Sequence, residues 1–432
     1  MADSGDRGPV TAGAITPPMS ARRAAVIAQD FDLRALPADF LANPYPVYAA
    51  LRERSPVRTL PDGSVLLTRW ADLVAVYRDA ATFVSDKREE FAPKYGAGSP
   101  LYTHHTTSLV FNDPPLHTRV RGLIMGALTR RAIADMEDGL VALVDRLLDR
   151  LAMQGGGDLI EDFAAAIPVD IIGNLLGVPV DERGPLREWS LAILGALEPT
   201  LTPAQADRGH RAVTDMSDYL RTLVARRRRA PGDPRHDVLT RLIEGEAGGE
   251  RLSETELLQN CIFLLNAGHE TTTNLIGNAL VALAEHPAAQ ARLQRTLAQA
   301  DPTAALDRAV DEFLRFESSN QLGNRRAARD AVVGGVALPA GTRITLGIGA
   351  ANRDPAVFDE PDTLRLDREP NRHLAFGFGI HQCAGLSLAR LEGRVAIGRF
   401  LARFPGWRLT ATPTRGGRAR FRGFLAAPFS AG

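Results

Sequence analysis

The chain is poor in cysteine. Only 2 of its 432 residues are cysteines, Cys261 and Cys383, and they lie far apart. This scarcity excludes a disulfide-stapled scaffold and fits a reducing compartment, so we expect a cytoplasmic protein. No two cysteines are separated by two residues, which argues against a structural zinc site.

The chain also lacks a charge excess and long apolar runs. Lys plus Arg number 51 and Asp plus Glu number 51, so net charge indicates neither a nucleic-acid partner nor a membrane partner. No apolar run approaches the roughly 18 residues that a membrane span needs. Residues 1–30 are rich in Ala, Gly, Ser and Pro and are predicted to form a flexible tail, whereas residues 31–432 are predicted to form one domain, expected to be a monomer.

Hydrophobic patterning predicts a mainly α protein with a smaller β-rich part. We expect a helix over 43–53 and further helices up to about residue 316. The segment 86–112 shows little periodicity and is predicted to be a long functional loop. The predicted strands lie at 57–60 and 64–68 and within 326–346 and 407–429.

One cysteine lies in a glycine-rich loop directly before a helix. The loop is residues 376–385, which read Phe-Gly-Phe-Gly-Ile-His-Gln-Cys-Ala-Gly, and helix-forming residues follow from Leu386. The glycines permit tight turns and close backbone approach. The amino terminus of a helix favours a thiolate, and a thiolate is an axial ligand for haem iron. The competing interpretation is a buried free cysteine that fills space in the core.

The spacing Phe376-x-x-Gly379-x-x-x-Cys383-x-Gly385 resembles the haem-binding signature of the cytochrome P450 family. The resemblance extends over residues 43–429. It implies the cytochrome P450 fold, with haem b between a long central helix and the cysteine-bearing loop. It also implies that Cys383 ligates the iron and that Phe376, Gly377 and Gly385 contribute to the haem site.

A long helix is predicted to cross the domain. Ser253 and Glu256 form a capping box, and no proline interrupts the pattern before Pro287. Its central stretch, residues 267–272, reads Ala-Gly-His-Glu-Thr-Thr and resembles the oxygen-activation motif of the family. The resemblance implies catalytic roles for Thr271, in oxygen activation, and Glu270, in proton delivery. The alternative is an ordinary amphipathic core helix.

Two further sets of residues match the family pattern. The first would bind the two haem propionates and consists of His117, Arg121, Arg325 and His381. The second is a structural support for the cysteine loop and consists of Glu312, Arg315, Arg368 and His373. Taken alone, Glu312 and Arg315 are also compatible with an ordinary exposed ion pair on a helix.

The segment expected to line the substrate pocket departs from the family. Ser319 stands where the family usually has proline, and Asn320 and Gln321 follow it. Either amide could bind the substrate or a water, or both could satisfy local backbone groups. Phe263 and Ala267 on the long helix are further candidates for the pocket.

The resemblance implies a monooxygenase that uses O2 to hydroxylate or dealkylate a small or medium organic molecule. Electrons would come from NAD(P)H through a separate ferredoxin or flavodoxin system, because no G-x-G-x-x-G fingerprint is present. The basic residues Arg372, Arg390 and Arg394 could form the docking face for this donor, or ordinary solvated surface. Two alternatives stay open, namely ring coupling, dehydration or isomerisation on the same scaffold, and a non-enzymatic haem sensor or carrier.

Overall fold

The computed structural model describes residues 19–234, 237–247 and 250–432. Within these ranges the fold is mainly helical, as predicted. The helices are α1 Ala21–Gln29, α2 Ala38–Ala42, α3 Tyr45–Arg54, α4 Trp70–Arg78, α5 Arg88–Tyr95, α6 Pro100–Thr107, α7 Leu116–Ala127, α8 Arg130–Ala134, α9 Glu137–Gln154, α10 Ala166–Leu176, α11 Leu186–Gly195, α12 Pro203–Arg229, α13 Val238–Glu244, α14 Glu254–Glu285, α15 Pro287–Leu297, α16 Thr303–Phe316, α17 Ile348–Ala351 and α18 Leu386–Arg403. None of these helices combines the length and the hydropathy needed to cross a bilayer.

The strands form one sheet of five strands and several smaller ones. The strands are β1 Val57–Thr59, β2 Val65–Leu67, β3 Phe83–Val84, β4 Gly156–Asp158, β5 Glu246–Ala247, β6 Glu250–Arg251, β7 Leu322–Ala327, β8 Ala331–Val333, β9 Val336–Leu338, β10 Arg343–Gly347, β11 Arg408–Leu409, β12 Thr414–Arg415, β13 Phe424–Ala426 and β14 Pro428–Ser430. The larger sheet has the order β1-β2-β10-β7-β3, and only the β2–β10 pairing in it is parallel. Strand β10 therefore lies between the hairpin of β1 and β2 on one side and β7, the first strand after α16, on the other.

Two local predictions were wrong. The proposed loop over 86–112 contains α5 and α6. Ser99 caps the amino terminus of α6, and its side chain accepts a hydrogen bond from the Tyr102 N–H. These helices lack an apolar stripe because polar residues, such as His104 and His105, are buried in them. The tail predicted for 1–30 does not extend to residue 30, because α1 packs Ala24, Ile27 and Ala28 into a core cluster. Residues 1–18 lie outside the described residues.

Helix α14 is the central element of the helical core. It has 32 residues, which correspond to about 48 Å at ~1.5 Å per residue. The predicted capping box is present, since Ser253 accepts from the Glu256 N–H and Glu256 accepts from the Ser253 N–H. Helices α10, α11, α16 and α18 all pack against α14. The helix therefore presents its middle to an interior space, and α18, which follows the cysteine loop, packs against it.

A buried ion network holds the segment that leads into the cysteine loop. Glu312 accepts hydrogen bonds from the Nε atoms of Arg315, at 2.8 Å, and Arg368, at 3.0 Å, and its side chain is fully buried. Arg315 also donates to the backbone carbonyls of Asn352 and Pro361. The Asn352 side chain accepts from the Leu374 N–H at 2.6 Å. The network thus links α16 to the chain shortly before the cysteine.

His373 does not join this carboxylate as predicted. Its Nε2 atom lies 3.2 Å from Asp311, the residue before Glu312. The amide of Asn371 instead contacts Glu312, at 3.2 Å. His373 therefore supports the loop through a neighbouring carboxylate.

Removing the charge of Glu312 should strongly destabilise the protein. In Glu312→Gln two buried guanidinium groups lose their shared counter-charge, which should lower the free energy of unfolding by about 3–5 kcal/mol. The measurement is urea unfolding followed by circular dichroism. Asp367→Asn is the matched control, because Asp367 pairs with Arg292 at the surface and should cost less than about 1 kcal/mol. Equal losses in the two variants would contradict the role of the buried network.

Candidate active site

A cavity of about 940 Å³ lies between the middle of α14 and the cysteine loop. Most of the sequence-predicted site residues line it. They are Cys383, Phe376, Gly377, Gly385, Arg121, Arg325, His381, Thr271, Phe263, Ala267 and Asn320. His117, Glu270 and Gln321 do not line it. The predicted site is therefore assembled in one place, with three residues positioned differently from expectation.

The cysteine loop is shaped by glycines in the left-handed region. Gly377 has φ of 66° and Gly379 has φ of 74°, and a Cβ atom at Gly379 would lie 2.4 Å from the backbone oxygen of Tyr77. Only glycine accommodates this approach to α4. The loop closes with a hydrogen bond of 2.9 Å from the Cys383 N–H to the Phe376 carbonyl. These constraints hold the Cys383 sulfur at the wall of the cavity.

The environment of the Cys383 sulfur favours a cationic partner. Burial raises the pKa of the thiol, whereas the Gly385 N–H and the guanidinium groups of Arg121 and Arg390 lower it. A metal cation at the sulfur would remove the cost of burying the charge and would keep the thiolate ionised. The other cysteine, Cys261, is buried, and burial raises the pKa of its thiol to about 12, so it is a core residue.

Thr271 faces the cavity from α14. Its Oγ1 donates to the Ala267 carbonyl at 2.7 Å, as the sequence predicted. Gly268 lines the cavity and also allows α14 to pack closely on α10. A Cβ atom at this position would lie 2.8 Å from Ile172 Cδ1 of α10. The hydroxyl of Thr271 therefore reaches the cavity opposite the cysteine loop.

Glu270 faces a second cleft on another side of α14. Neighbouring helical residues point about 100° apart, so Glu270 cannot share the direction of Thr271. Its carboxylate forms an ion pair with Arg418, and its second oxygen has no partner among the described residues. Burial raises the pKa of Glu270 to about 7, although Arg418 opposes the shift. A group with this pKa can take up and release protons near neutral pH.

The predicted propionate-binding residues form a cationic group at one end of the cavity. Among the described residues, Arg121 and Arg325 have no carboxylate within ion-pair distance. The His381 Nε2 atom lies 3.1 Å from Ser85 Oγ. The His117 ring packs against the His381 ring with 4.2 Å between centroids and an interplanar angle of 54°. Both ring nitrogens of His117 are buried without a described partner, and burial lowers its pKa to about 4.

This donor set fits haem. Two guanidinium groups and unsatisfied imidazole nitrogens suit the two carboxylates of the macrocycle. A thiolate and a cavity of sufficient size for a planar cofactor complete the requirements. Cys383 would ligate the iron, and Arg121, Arg325, His381 and His117 would hold the propionates.

The two amide side chains in the polar segment after α16, Asn320 and Gln321, have different surroundings. Gln321 turns away from the cavity and donates to Tyr45 Oη at 3.2 Å and to the Ser318 carbonyl at 2.8 Å. Gln321 therefore fits the alternative stated from the sequence, in which the amide satisfies groups of the protein, because its donors are used inside the protein. Asn320 lines the cavity, and its Oδ1 has no described partner. Only Asn320 stays a candidate for substrate contact.

The proposed docking arginines are mostly engaged. Arg390 donates to Asp311 at 2.7 Å, and Arg394 donates to Glu137 at 3.0 Å. Arg372 is exposed. The first two therefore stabilise the packing around α18, and their charge is already partly neutralised.

Sequence reasoning missed a buried acid beside the cysteine loop. Glu392 on α18 is 3% exposed and borders the cavity, and its Oε2 has no partner among the described residues. Burial raises the pKa of its carboxyl to about 8, so the group is largely protonated at neutral pH. Its position on the apolar face of α18, between Leu388 and Val395, was a signal in the sequence.

Glu392 should make stability fall as the pH rises. Its carboxyl has a folded pKa of about 8 against an ordinary value of 4.5, so ionisation opposes folding between these values. Glu392→Gln should remove this effect and become more stable than the parent by on the order of a few kcal/mol as pH rises from 5 to 8. The measurement is denaturant unfolding at a series of pH values. Glu53→Gln, at an exposed site on α3, controls for the substitution itself. A stability difference that does not change with pH would contradict the assignment.

Comparison with known proteins agrees with this geometry. The sequence profile described as Cytochrome P450 matches residues 66–409. The vitamin D(3) 25-hydroxylase of Pseudonocardia autotrophica is 40% identical over 370 residues, or 85% of this chain and 87% of that protein. The cytochrome P450 monooxygenase PikC of Streptomyces venezuelae is 37% identical over 389 residues, or 88% of this chain and 89% of that protein.

Solved structures show the same architecture. P450BioI, in complex with an acyl carrier protein ligated to hexadec-9Z-enoic acid, has a TM-score of 0.84 and 31% sequence identity, covering 91% of this chain and 99% of that chain. CalO2 has a TM-score of 0.84 and 30% identity, covering 92% of this chain and 99% of that chain. With the cysteine loop, the cavity and these relatives considered together, the chain belongs to the cytochrome P450 family and is an oxidoreductase of the monooxygenase type.

Proposed function

We propose that the protein inserts one atom of O2 into a small or medium organic substrate, by hydroxylation or oxidative dealkylation. The observation that carries this proposal is that Cys383 and Thr271 line one cavity. Haem, when bound there, supplies the iron that activates oxygen. The Pseudonocardia relative is a hydroxylase, which supports insertion of oxygen as the reaction.

Thr271 and Glu270 have different parts in holding and delivering protons. Thr271 presents a hydroxyl toward the oxygen-binding space and keeps it oriented through its bond to the Ala267 carbonyl. Glu270 lies on the opposite side of this turn, where its ion pair with Arg418 borders a cleft separate from the substrate cavity. Protons can therefore reach the Glu270 carboxylate from a side of α14 that the substrate does not occupy.

Two electrons have to come from outside the chain. We infer that they originate in NAD(P)H and arrive singly through a ferredoxin or flavodoxin, because the sequence holds no dinucleotide-binding fingerprint. The donor would approach the cysteine-loop side, where Arg372 is exposed. Arg390 and Arg394 contribute less to this face than the sequence suggested, because each is in an ion pair.

Isotope incorporation tests the proposal. The haem protein is supplied with NADH, a ferredoxin and its reductase, labelled dioxygen and a panel of aromatic acids, terpenoids, fatty acids and macrolides. We expect one labelled oxygen atom in the product for each NADH consumed, or in the released aldehyde if the reaction is a dealkylation. Products without added oxygen would indicate coupling, dehydration or isomerisation instead. Thiolate-ligated haem that supports no turnover of any class would favour the sensor alternative.

Thr271→Ala should separate electron use from product formation. Without the hydroxyl, proton placement fails and the two electrons and two protons leave with dioxygen as hydrogen peroxide. We expect the ratio of product to NADH consumed to fall roughly tenfold or more. Thr271→Ser keeps the hydroxyl and is the matched control. An unchanged ratio in Thr271→Ala would contradict the role of the hydroxyl.

A further inference from the structure

One part of the cavity wall carries several charged side chains. We call this group the charged wall. Its members are Lys87, Glu90, Lys94, Glu198 and Arg420, and all of them border the cavity. They come from α5, from the connection between α11 and α12, and from the chain between β12 and β13. The rest of the lining is mixed. It includes the apolar residues Leu194, Leu197 and Phe263 and the polar residues Asn266, Ser319 and Asn320.

The carboxylates of the charged wall are already engaged. Glu90 pairs with Lys87 at 2.8 Å. Glu198 accepts hydrogen bonds from the backbone N–H groups of Ala419, at 2.9 Å, and Arg420, at 3.1 Å. Glu198 therefore fixes the β12–β13 connection, and its oxygens are used by backbone amides.

The guanidinium of Arg420 retains free donors. Its Nε donates to the Leu197 carbonyl at 3.1 Å, one Nη donates to the Leu322 carbonyl at 2.7 Å, and the other contacts the side-chain oxygen of Asn324. These acceptors use three of five N–H groups, and none of the three is a carboxylate. Lys94 is similar, because its Nζ donates to the backbone carbonyl of Glu198 at 3.0 Å. Two cations at the cavity thus lack a direct ion pair within the described parts of the chain.

The charge count leaves one positive charge in excess. Lys87, Lys94 and Arg420 contribute three positive charges, whereas Glu90 and Glu198 contribute two negative charges. The two histidines nearby do not change the sum, because burial lowers the pKa of His104 to about 4 and that of His105 further below its usual range.

Other charged residues along the cavity do not supply the missing negative charge. Toward solvent, Arg343 pairs with Asp62 at 3.0 Å. Arg121 and Arg325 are assigned to the haem propionates. Asp32 and Arg34 contribute one charge of each sign, and Glu392 is largely protonated because burial raises its pKa to about 8. An excess cation at a partly desolvated wall is favourable only when an anion joins it.

We propose that this charged wall binds the carboxylate of the substrate, so that the enzyme oxidises an apolar molecule that bears one carboxylate. A single negative charge balances the count, whereas a phosphate dianion would exceed it. The planar guanidinium of Arg420, with two free N–H groups, suits a carboxylate. This inference rests on the proposed function, because it assigns a substrate class to the same cavity.

Binding titrations of the haem protein test the inference. The probes are dodecanoate, 4-phenylbutanoate and a sterol acid, each compared with its methyl ester, and the readout is the substrate-induced shift of the Soret band. We expect at least one acid to bind roughly tenfold or more tightly than its ester. In Arg420→Gln the Kd of this acid should rise roughly tenfold or more, whereas the Kd of the ester should stay unchanged.

Two further variants make the test specific. Arg343→Gln removes a cavity-lining cation that already has a carboxylate partner, so the preference for the acid should persist. Lys94→Gln should weaken acid binding severalfold and gives an independent reading if Arg420→Gln does not fold.

Several outcomes would overturn the inference. These are equal binding of acids and esters, no shift with any acid, a preference for acids that survives in Arg420→Gln, and a loss of haem from that variant, which would assign Arg420 to the propionates instead. Labelled oxygen in a neutral product, together with no acid binding, would refute this inference and leave the proposed function intact. Failure to incorporate oxygen into any substrate would refute the proposed function separately, even where acids bind.

Discussion

The structure depends on the burial of one ionisable sulfur. Removing the Cys383 side chain from water disfavours the thiolate, and the surrounding backbone N–H and guanidinium groups only partly offset this cost. A bound cation is therefore needed for the ionised form to be stable. The glycines at 377 and 379 give the loop its shape, and α18 continues from it toward α14. The cavity lies where these elements leave α14 uncovered.

A buried ionisable group is stabilised either by an opposite charge beside it or by a shift toward its neutral form. Glu312 is held by two guanidinium groups. The single ion pair of Glu270 with Arg418 only partly offsets the cost of burial, which raises the pKa of Glu270 to about 7. Glu392 has no counter-charge among the described residues and is instead shifted toward its neutral form. Among the described residues Arg420 has no carboxylate within ion-pair distance, and its guanidinium has no neutral form near neutral pH. An anionic group of the substrate would therefore add to the partial balance that Glu198 and Glu90 provide.

The sequence predicted the helical class, the long helix and its capping box, because these features depend on local periodicity and on glycine and proline positions. The site residues of the cysteine loop, the long helix and the propionate group were implied by the resemblance to the cytochrome P450 family. Helices α5 and α6 were missed, since residues that line a polar cavity break the apolar stripe on which helix prediction depends. The direction of Gln321 and the partner of His373 depend on contacts between distant segments. The charged wall was not predicted because its members lie on three segments that only the tertiary fold brings together.

The most direct test of the central claim is the absorption spectrum of the reduced carbon monoxide complex. The purified protein should show the long-wavelength Soret band that distinguishes thiolate-ligated haem from histidine-ligated haem. Cys383→His should bind haem and lose this band, because the cavity and the propionate-binding residues stay in place while the ligand changes from sulfur to nitrogen. A parent protein without the band, or a Cys383→His variant that keeps it, would show that Cys383 is not the ligand and would contradict the account.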